Sequence, residues 1–254
     1  RWQVVESPLE CSLMQTIPGF GEAGFHRKNG GSMQLQFITQ SQTAEQGQVE
    51  FQIAPAPWLH SDERITLVSQ AATQGQTHFI VKGNPAQQAL SQLQEGRFTY
   101  LEYRSQAYHN NISVKLSTIK LNDSLPAFQQ CLSNLHPDTF DDINQLTVYF
   151  GLEQATLDAA ARKALDRLAR YARLDESITE IRIVSHTDSH GKRQLNEPLS
   201  DARAIAVKNF LVNEHQIPPQ LISINSFVDF KPAATNKTPK GRAYNRRTEI
   251  TLIR

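Results

Sequence analysis

The chain has 254 residues, of which 39% are hydrophobic, enough for one large domain or two ordinary domains with packed cores. Its formal net charge of +1 indicates no class of partner, and it contains no aromatic-interleaved basic stripe of the kind that binds nucleic acid. It also lacks a run of about 18 apolar residues, so the sequence predicts no membrane-spanning helix.

Charge is distributed unevenly along the chain. Residues 1–144 contain 9 basic and 13 acidic residues, a net charge of −4, whereas residues 145–254 contain 17 basic and 12 acidic residues, a net charge of +5. The change of sign falls next to an acidic, turn-rich segment, HPDTFDDINQ. We therefore predict a first domain at 1–135, a linker at 136–145 and a second domain at 146–254.

The first domain is predicted to be rich in β-strands. Alternating or β-branched apolar residues indicate strands at 33–37, 49–53, 65–68, 78–81, 98–103 and 112–116. Two helices are expected, one beginning at Asn84 and one following Pro126, with Cys131 on the apolar stripe of the second.

The two cysteines, Cys11 and Cys131, lie too far apart in the sequence for a CxxC redox or zinc motif. If the protein is exported, a disulfide is the natural interpretation, and two buried thiols are the alternative. The chain begins at Arg1 rather than Met, so we expect a processed N-terminus, explained by removal of a signal peptide or by truncation.

The second domain changes to alternating strands and helices. Strands are expected at 146–150, 178–185, 221–227 and 248–253, helices after a Thr156 cap and over 196–214, and a short helical turn at 238–242. This βαβαββ order, with a short helix before the last strand, predicts an α/β sandwich with helices on one face. The whole chain is therefore assigned to the α+β class.

Polar residues cluster where the strands and helices of the second domain end. Asp188 follows a strand, and Asn196 and Arg203 share one face of the next helix. If that helix buries Ala202, Ile205, Ala206 and Phe210, Arg203 points away from the core toward Asp188. An arginine can hold a carboxylate and an aspartate an ammonium, which suits a zwitterionic amino-acid group. An internal ion pair between the two is the simpler interpretation from spacing alone.

Residues from about 145 to the end resemble the OmpA-like peptidoglycan-binding domain. The matching motifs are Tyr149-Phe150, His186-Thr187-Asp188, Gly191, Asn196, Leu199-Ser200, Arg203-Ala204, Pro232, Gly241-Arg242 and Asn245-Arg246-Arg247. The resemblance implies that Asp188 and Arg203 bind the diaminopimelate residue of the peptidoglycan stem peptide, and that Arg246 lines the same pocket. The other residues it implies near the pocket are Thr187, Asn196, Leu199 and Asn245.

Two positions depart from the pattern of this family. Ser185 replaces the usual glycine before the HTD triplet, and Phe227 lies in the segment where a glycine-containing turn usually precedes the proline. We expect the added side chains to narrow the rim of the pocket or to change its affinity.

The first domain resembles the MotY family, which is associated with the sodium-driven flagellar motor. The matching residues are Trp2, Cys11-Ser12-Leu13, the stretch from Ile17 to Gly21, Phe25 and Cys131. The resemblance implies a periplasmic protein, its signal peptide removed, that joins the flagellar basal body and stator proteins and holds peptidoglycan, with a ring or array as the expected assembly. The alternative is a general OmpA-like wall anchor unrelated to flagella.

Other classes of function are less well supported by the sequence. The cluster His186-x-Asp188-x-His190 lacks an evident fourth metal ligand, and no GxSxG elbow or nucleophile–base arrangement is present. A lipid-anchored protein would need a cysteine at its mature N-terminus, whereas Cys11 lies further along. We therefore expect a binding protein with no enzymatic activity, no cofactor and no metal; release of soluble fragments from cell walls would instead reveal a hydrolase.

Overall fold

The computed structural model describes residues 1–59, 61, 63–188, 193–227 and 232–254, apart from the side chains of 193–195 and 227. The chain forms two compact units, Arg1–Pro137 and Asp138–Arg254. Helices and strands occur in both, which confirms the expected α+β class. None of the described helices is long and apolar enough to cross a membrane.

The first unit consists mainly of two antiparallel sheets. The described strands are β1 Trp2–Glu6, β2 Glu10–Ile17, β3 Gly21–Lys28, β4 Gln34–Thr39, β5 Ala44–Ala54, β6 Ile65–Ala72, β7 His78–Lys82, β8 Phe98–Ser105 and β9 Asn111–Leu116. One sheet has the order β1-β2-β3-β4-β7 and the other β6-β5-β8-β9. The apolar pattern of the sequence predicts six of these strands and does not single out β1, β2 and β3.

The two sheets pack against each other around a single core. The rings of Phe37 on β4 and Phe51 on β5 lie 6.1 Å apart, and Phe79 on β7 stacks on Tyr103 of β8 at 4.5 Å. Edge-to-face and stacked aromatic pairs at such distances add to the free energy gained by burying apolar area. The apolar faces that the alternating pattern predicts therefore meet between the sheets.

Two helices complete the first unit, α1 Asn84–Gln94 and α2 Leu121–Ser133. The first begins at Asn84, as expected. The second begins at Leu121, several residues earlier than predicted, and contains Pro126. Pro126 is the sixth residue of α2, so the helix lacks one main-chain hydrogen bond after its first turn.

A disulfide joins Cys11 on β2 to Cys131 on α2, as expected. Both cysteines are buried, and 120 residues separate them in the sequence. The crosslink therefore closes a loop that contains nearly the whole first unit.

Removing this crosslink should lower stability substantially. In the chain-entropy model, opening a loop of this length increases the entropy of the unfolded chain, at a cost of about 3–5 kcal/mol. We expect the double variant Cys11→Ser, Cys131→Ser to lose that much free energy of unfolding in urea titrations, matching the reduced wild-type protein. Equal stability of the oxidised wild type and the double variant would contradict the prediction.

The second unit contains one four-stranded sheet and four helices in its described part. The elements are α3 Phe140–Ile143, β10 Gln145–Tyr149, α4 Ala159–Leu174, β11 Glu180–His186, α5 Arg193–Asn209, β12 Ile222–Phe227, α6 Pro239–Asn245 and β13 Arg247–Ile253. The strand order is β10-β13-β11-β12; β11 and β12 are parallel, and β13 is antiparallel to both β10 and β11.

One face of this sheet forms the core of the second unit. Ile181 and Ile183 on β11 lie opposite Leu252 and Ile250 on β13, and all four are buried. The α5 helix packs on β11 and β12, and α4 contacts β10.

Two boundaries differ from the sequence prediction. The predicted Thr156 cap is wrong, because α4 begins at Ala159 and the Asp158 carboxylate accepts a hydrogen bond of 2.7 Å from the Ala161 N–H. Residues 136–145, which we had assigned to a linker, include α3, capped by Thr139, and the first residue of β10.

The predicted buried face of α5 is also wrong. The residues that face the core are Ser200, Arg203, Ala204 and Val207 of α5, together with Leu211 of the π-helical segment Phe210–Glu214 that follows it. Ala202 is exposed, and Ile205 is 48% exposed. A shift of one residue rotates a helical face by about 100°. The apolar residues Ala202 and Ile205 suggest the wrong phase, and an Arg203 that faces solvent follows from that phase.

A buried carboxylate ties the end of α4 to the C-terminal residue. Asp175 accepts hydrogen bonds from the Tyr171 hydroxyl (3.2 Å) and Arg254 Nη2 (2.6 Å), and the Arg254 guanidinium stacks on the Phe140 ring at 3.9 Å. Burial alone would raise the pKa of Asp175, but hydrogen bonds from Ser177 and Arg254 outweigh it and hold the pKa below its ordinary value of 3.8.

Asp175→Asn should destabilise the protein by about 1–3 kcal/mol at pH 7, because the charged acceptor of this network is lost. A lowered folded-state pKa means that the contribution of Asp175 is complete above the unfolded-state pKa and is lost as the pH falls through the folded-state pKa. The stabilities of wild type and variant should therefore converge below about pH 4. Urea titrations from pH 7 to pH 3 test this; a constant difference would contradict it.

Candidate functional site

The residues expected to form a site converge at the C-terminal end of β11. Three polar side chains on the buried face of α5 donate hydrogen bonds to carbonyls there: Ser200 to Ser185 (3.2 Å), Arg203 Nη1 to His186 (3.3 Å) and Asn196 to Asp188 (3.2 Å). The helix thus fixes the path of the strand end through main-chain contacts. Asp188 is held at the point where β11 ends.

Asp188 forms an ion pair with Arg246. Arg246 Nη1 lies 3.0 Å from Asp188 Oδ2, and the side chains are 16% and 6% exposed respectively. Arg246 Nε also donates to the Phe150 carbonyl at 3.2 Å. The structure therefore places Arg246, the residue after α6, in direct contact with the carboxylate.

Arg203 lies behind this pair and is fully buried. Besides its bond to His186, its Nε donates to the Gln154 carbonyl (2.9 Å) and its Nη2 to the Gly151 carbonyl (3.1 Å), and its guanidinium lies 5.2 Å from the centre of the Phe150 ring. Burial and, to a smaller extent, the nearby Arg246 cation lower the pKa of Arg203 to about 10, although Asp188 opposes both effects. The side chain remains cationic at neutral pH.

This arrangement corrects the sequence-based picture of Arg203. We had expected it to point away from the core toward Asp188, but it faces the core, and its described hydrogen bonds all go to main-chain carbonyls. Phe150, Gly151 and Gln154, which supply carbonyls or a ring to the two arginines, were not predicted as site residues. The Phe150-Gly151 pair, directly after β10, is the sequence feature from which these site residues could be predicted.

Thr187, directly before Asp188 in the chain, and Leu199, on α5, are two further residues expected near the pocket. The hydroxyl of Thr187 is buried and has no hydrogen-bond partner in the described part of the chain. A buried hydroxyl without a partner costs about 1–3 kcal/mol, so a polar group brought by a ligand would relieve that cost. Leu199, on α5, is half-buried.

Asn245 shapes the neighbouring loop. Its side chain accepts a hydrogen bond from the Ala234 N–H (2.9 Å) and donates to the Ala234 carbonyl (2.8 Å) and Asn236 Oδ1 (2.7 Å). The absence of a side chain at Gly241 lets this loop approach α6, because a Cβ at position 241 would collide with the Thr235 carbonyl. Asn245 therefore holds the loop against the end of α6, which directly precedes Arg246.

The two departures from the family pattern have different outcomes. Ser185 is fully buried, and its hydroxyl hydrogen-bonds the Thr248 hydroxyl at 2.9 Å between β11 and β13, so it does not narrow a pocket rim. The side chain of Phe227 lies outside the described residues, as do Gly191 and the His190 of the metal alternative. Among described residues, no cluster of potential metal ligands occurs.

Comparison with protein families assigns both units. Residues 1–137, more than half of the chain, match the model described as the MotY N-terminal domain, and residues 149–246 match the OmpA family. The chain belongs to the MotY family. Family membership confirms the expectation of a non-enzymatic protein.

Individual relatives agree with this assignment. The sodium-type flagellar protein MotY of Vibrio parahaemolyticus is 29% identical over 261 residues, covering 100% of this chain and 87% of the relative. Outer membrane protein A of Bordetella avium is 35% identical, covering 52% of this chain and 66% of the relative. Outer membrane protein Omp38 of Acinetobacter baumannii is 37% identical, covering 44% and 32%. The match to the MotY relative thus covers the whole of this chain and most of the relative, whereas the chain spans a smaller part of the two outer membrane proteins.

Two solved structures are similar to part of this chain. The peptidoglycan-associated lipoprotein from Burkholderia pseudomallei is 24% identical, with a TM-score of 0.40, over 42% of this chain and 89% of that chain. The C-terminal domain of Helicobacter pylori MotB is 21% identical, with a TM-score of 0.39, over 43% and 84%.

Arg203→Ala should destabilise the second unit by about 3–5 kcal/mol, because three carbonyls would lose their donor inside the protein. Arg173→Ala, at an exposed position on α4, is the matched control and should change the free energy of unfolding by less than about 0.5 kcal/mol. Urea titrations measure both. Similar stability of the two variants would mean that Arg203 does not organise the strand end.

Proposed function

We propose that the second unit binds the diaminopimelate residue of the peptidoglycan stem peptide at Asp188 and Arg246. The observation that carries this proposal is the ion pair between them at the end of β11, with the cation of Arg203 behind it. Two cations and one anion leave the cluster one positive charge in excess. A ligand group that carries both an ammonium and a carboxylate suits a cluster that presents charges of both signs.

Each charge of the ligand has a partner in this scheme. The end of diaminopimelate that remains free in a stem peptide carries an ammonium, which Asp188 would hold, and a carboxylate, which Arg246 would hold in a two-pronged contact. Arg246 is the more exposed member of the pair, at 16%, so it meets the ligand first. The Thr187 hydroxyl would donate to or accept from the same ligand group.

Arg203 contributes to binding in two ways under this proposal. Its hydrogen bonds keep the loop at 151–154 and the end of β11 in place. Its buried positive charge favours an anion nearby, because the local dielectric is low. Direct contact with a ligand would require this loop to move, since Arg203 is fully buried in the unliganded protein.

Recognition of a single amino-acid group gives modest affinity at each site. Attachment of several copies to one wall would multiply it through effective concentration, so a ring or array of copies suits this function. The proposed location is the periplasm, after export and removal of a signal peptide. The disulfide between Cys11 and Cys131 agrees with an oxidising compartment.

We further propose that the first unit joins the flagellar basal body and contacts stator proteins, while the second unit holds the wall. The similarity of the whole chain to a protein named as a sodium-type flagellar protein supports this proposal. The wall attachment would then resist the torque that reaches the first unit and support assembly of the stator. The protein would act as a mechanical anchor of the motor.

A general wall anchor unrelated to flagella is the second candidate. The similarity of the second unit to outer membrane proteins of Bordetella and Acinetobacter favours it. The two candidates share the wall site and differ in what the first unit binds.

Wall binding is tested with purified sacculi. Asp188→Asn and Arg246→Gln should each weaken co-sedimentation of the protein at least about tenfold, because each removes one charged contact to the ligand. Asp141→Asn and Arg173→Gln, at exposed positions in the same unit, are the matched controls and should bind like wild type. Free diaminopimelate should compete, whereas lysine should compete weakly. Unchanged binding by both site variants would refute the assignment.

The motor role is tested with the full-length protein in cells with and without assembled flagellar basal bodies. A fluorescent fusion should form foci at basal bodies and lose them when the basal body is absent, and Asp188→Asn should keep this dependence. Foci or envelope fractionation that do not depend on basal bodies would favour the general wall anchor.

A further inference from the structure

The first unit contains an open cleft of about 570 Å³ between its two sheets. One wall is formed by residues 15–20, the end of β2 and the turn that follows it. The other wall includes residues 111–115 of β9. The cleft belongs entirely to the first unit, so binding there does not depend on the wall site of the second unit.

Among the described strands, β9 is hydrogen-bonded only to β8, so it is an edge strand. The Ser105 N–H donates to the Asn110 carbonyl just before β9 begins. In an antiparallel ladder, residue pairs that exchange main-chain hydrogen bonds alternate with pairs that do not. Because Ser105 and Asn110 are hydrogen-bonded, the next pair, Arg104 and Asn111, is not. The same holds for Ser113 and Lys115 and their partners on β8. The N–H and C=O groups of Asn111, Ser113 and Lys115 therefore point to the open edge.

Ser117, the next residue in the series 111, 113 and 115, shows that outward-facing main-chain groups along this edge form hydrogen bonds with other parts of the unit. The N–H of Ser117 donates a hydrogen bond to the Gln15 side chain at 3.1 Å, and its carbonyl accepts one from the Trp2 indole at 3.0 Å. Side chains of the opposite sheet thus satisfy one outward-facing pair. No such contact is present for the main-chain groups of Asn111, Ser113 and Lys115 in the described structure.

The facing wall is formed by the end of β2 and the turn that follows it. Gln15 of β2 pairs with Trp2 of β1, and Thr16 and Ile17, the last two residues of β2, line the cleft beyond this pair. The cleft therefore lies between the open edge of β9 in one sheet and the end of β2 in the other. The outward-facing main-chain groups of β9 can pair with one more strand.

The side chains that line the cleft indicate the chemistry of that strand. Ile17, Pro18 and Phe20 make the wall at the end of β2 apolar, whereas Ser113 and Lys115 lie exposed on the outer side of β9. Lys115 is the sole charged residue among the described residues that line the cleft. Alternate residues of an added strand would face the apolar wall, and those between them would lie beside Lys115.

We propose that this cleft binds an extended peptide segment of a partner protein, which adds a strand to β9. The segment alternates apolar residues, which enter the cleft, with polar residues, and it carries a carboxylate next to Lys115. Main-chain hydrogen bonds to Asn111, Ser113 and Lys115 supply affinity, and the apolar wall and the lysine supply specificity. An exposed edge of this kind needs a cover, because unpaired strand edges otherwise pair with other chains.

The probe for this site is a displayed library of random twelve-residue peptides, selected on the full-length protein. We expect the library to yield alternating apolar and acidic sequences. In the complex, hydrogen exchange of the amides of Asn111, Ser113 and Lys115 should slow, while exchange of the neighbouring Ile112 and Val114 amides, already bonded to β8, should change little.

Ser113→Pro is the decisive variant, because proline removes an outward-facing N–H and leaves the ladder with β8 intact. We expect selected peptides to bind it at least about tenfold more weakly by calorimetry. Ser113→Ala, which loses the same hydroxyl contact to Glu102 (3.1 Å), is the matched control and should bind within about twofold of wild type. Lys115→Glu should weaken acidic peptides about two- to fivefold.

Three results would overturn the proposal. These are a library that yields no binder, peptides that bind Ser113→Pro as tightly as wild type, and peptides that leave exchange of the three amides unchanged. Concentration-dependent dimerisation that Ser113→Pro abolishes would identify a second copy as the occupant instead. If Ser113→Pro fails to fold by circular dichroism, Asn111→Pro replaces it, and the exchange measurement on wild type needs no variant.

Discussion

The buried guanidinium of Arg203 holds together the end of the second unit where the candidate site lies. It joins the carbonyls of Gly151 and Gln154, which follow the first strand of that unit, to the carbonyl of His186, which ends a central strand. A cation removed from water is strongly unfavourable unless its donors are used, so these segments are held to the helix that carries Arg203. Arg246, which is more exposed than Arg203, forms the ion pair with Asp188. One arginine therefore organises the site, and the other is available to a ligand.

The sequence predicted the order of elements in the second unit because each has a clear period and the resemblance to the OmpA-like domain is specific. The structure places Asn196 and Arg246, both expected near the pocket, in contact with Asp188. The sequence pattern misplaced the buried face of α5, because a rule that puts apolar residues inside and charges outside assigns Ala202 and Ile205 to the core. Arg203 is buried because main-chain carbonyls accept its hydrogen bonds, and these carbonyls belong to segments that are distant in the sequence. Such main-chain acceptors carry no side-chain signature.

In the first unit, the pattern identified strands with clean alternation and did not single out those before residue 30. Strand β3 contains Gly21 and Gly24, whose missing side chains let neighbouring carbonyls approach closely, and glycine is normally a sign against a strand. The cleft beside β9 was also invisible, because which N–H groups face outward depends on the pairing of β8 with β9. Pairing phase is a property of the folded sheet rather than of composition.

The crosslink between Cys11 and Cys131 has a mechanical consequence. The chain leaves the first unit at Pro137, only a few residues after Cys131. When tension pulls on the two ends of this unit, the covalent path runs from one cysteine directly to the other, and the 120-residue loop between them carries no load along its backbone. Only the short flanks outside the loop can be drawn out. Apart from β1, which precedes Cys11, the double sheet would therefore keep its shape under forces that extend an uncrosslinked domain of the same size.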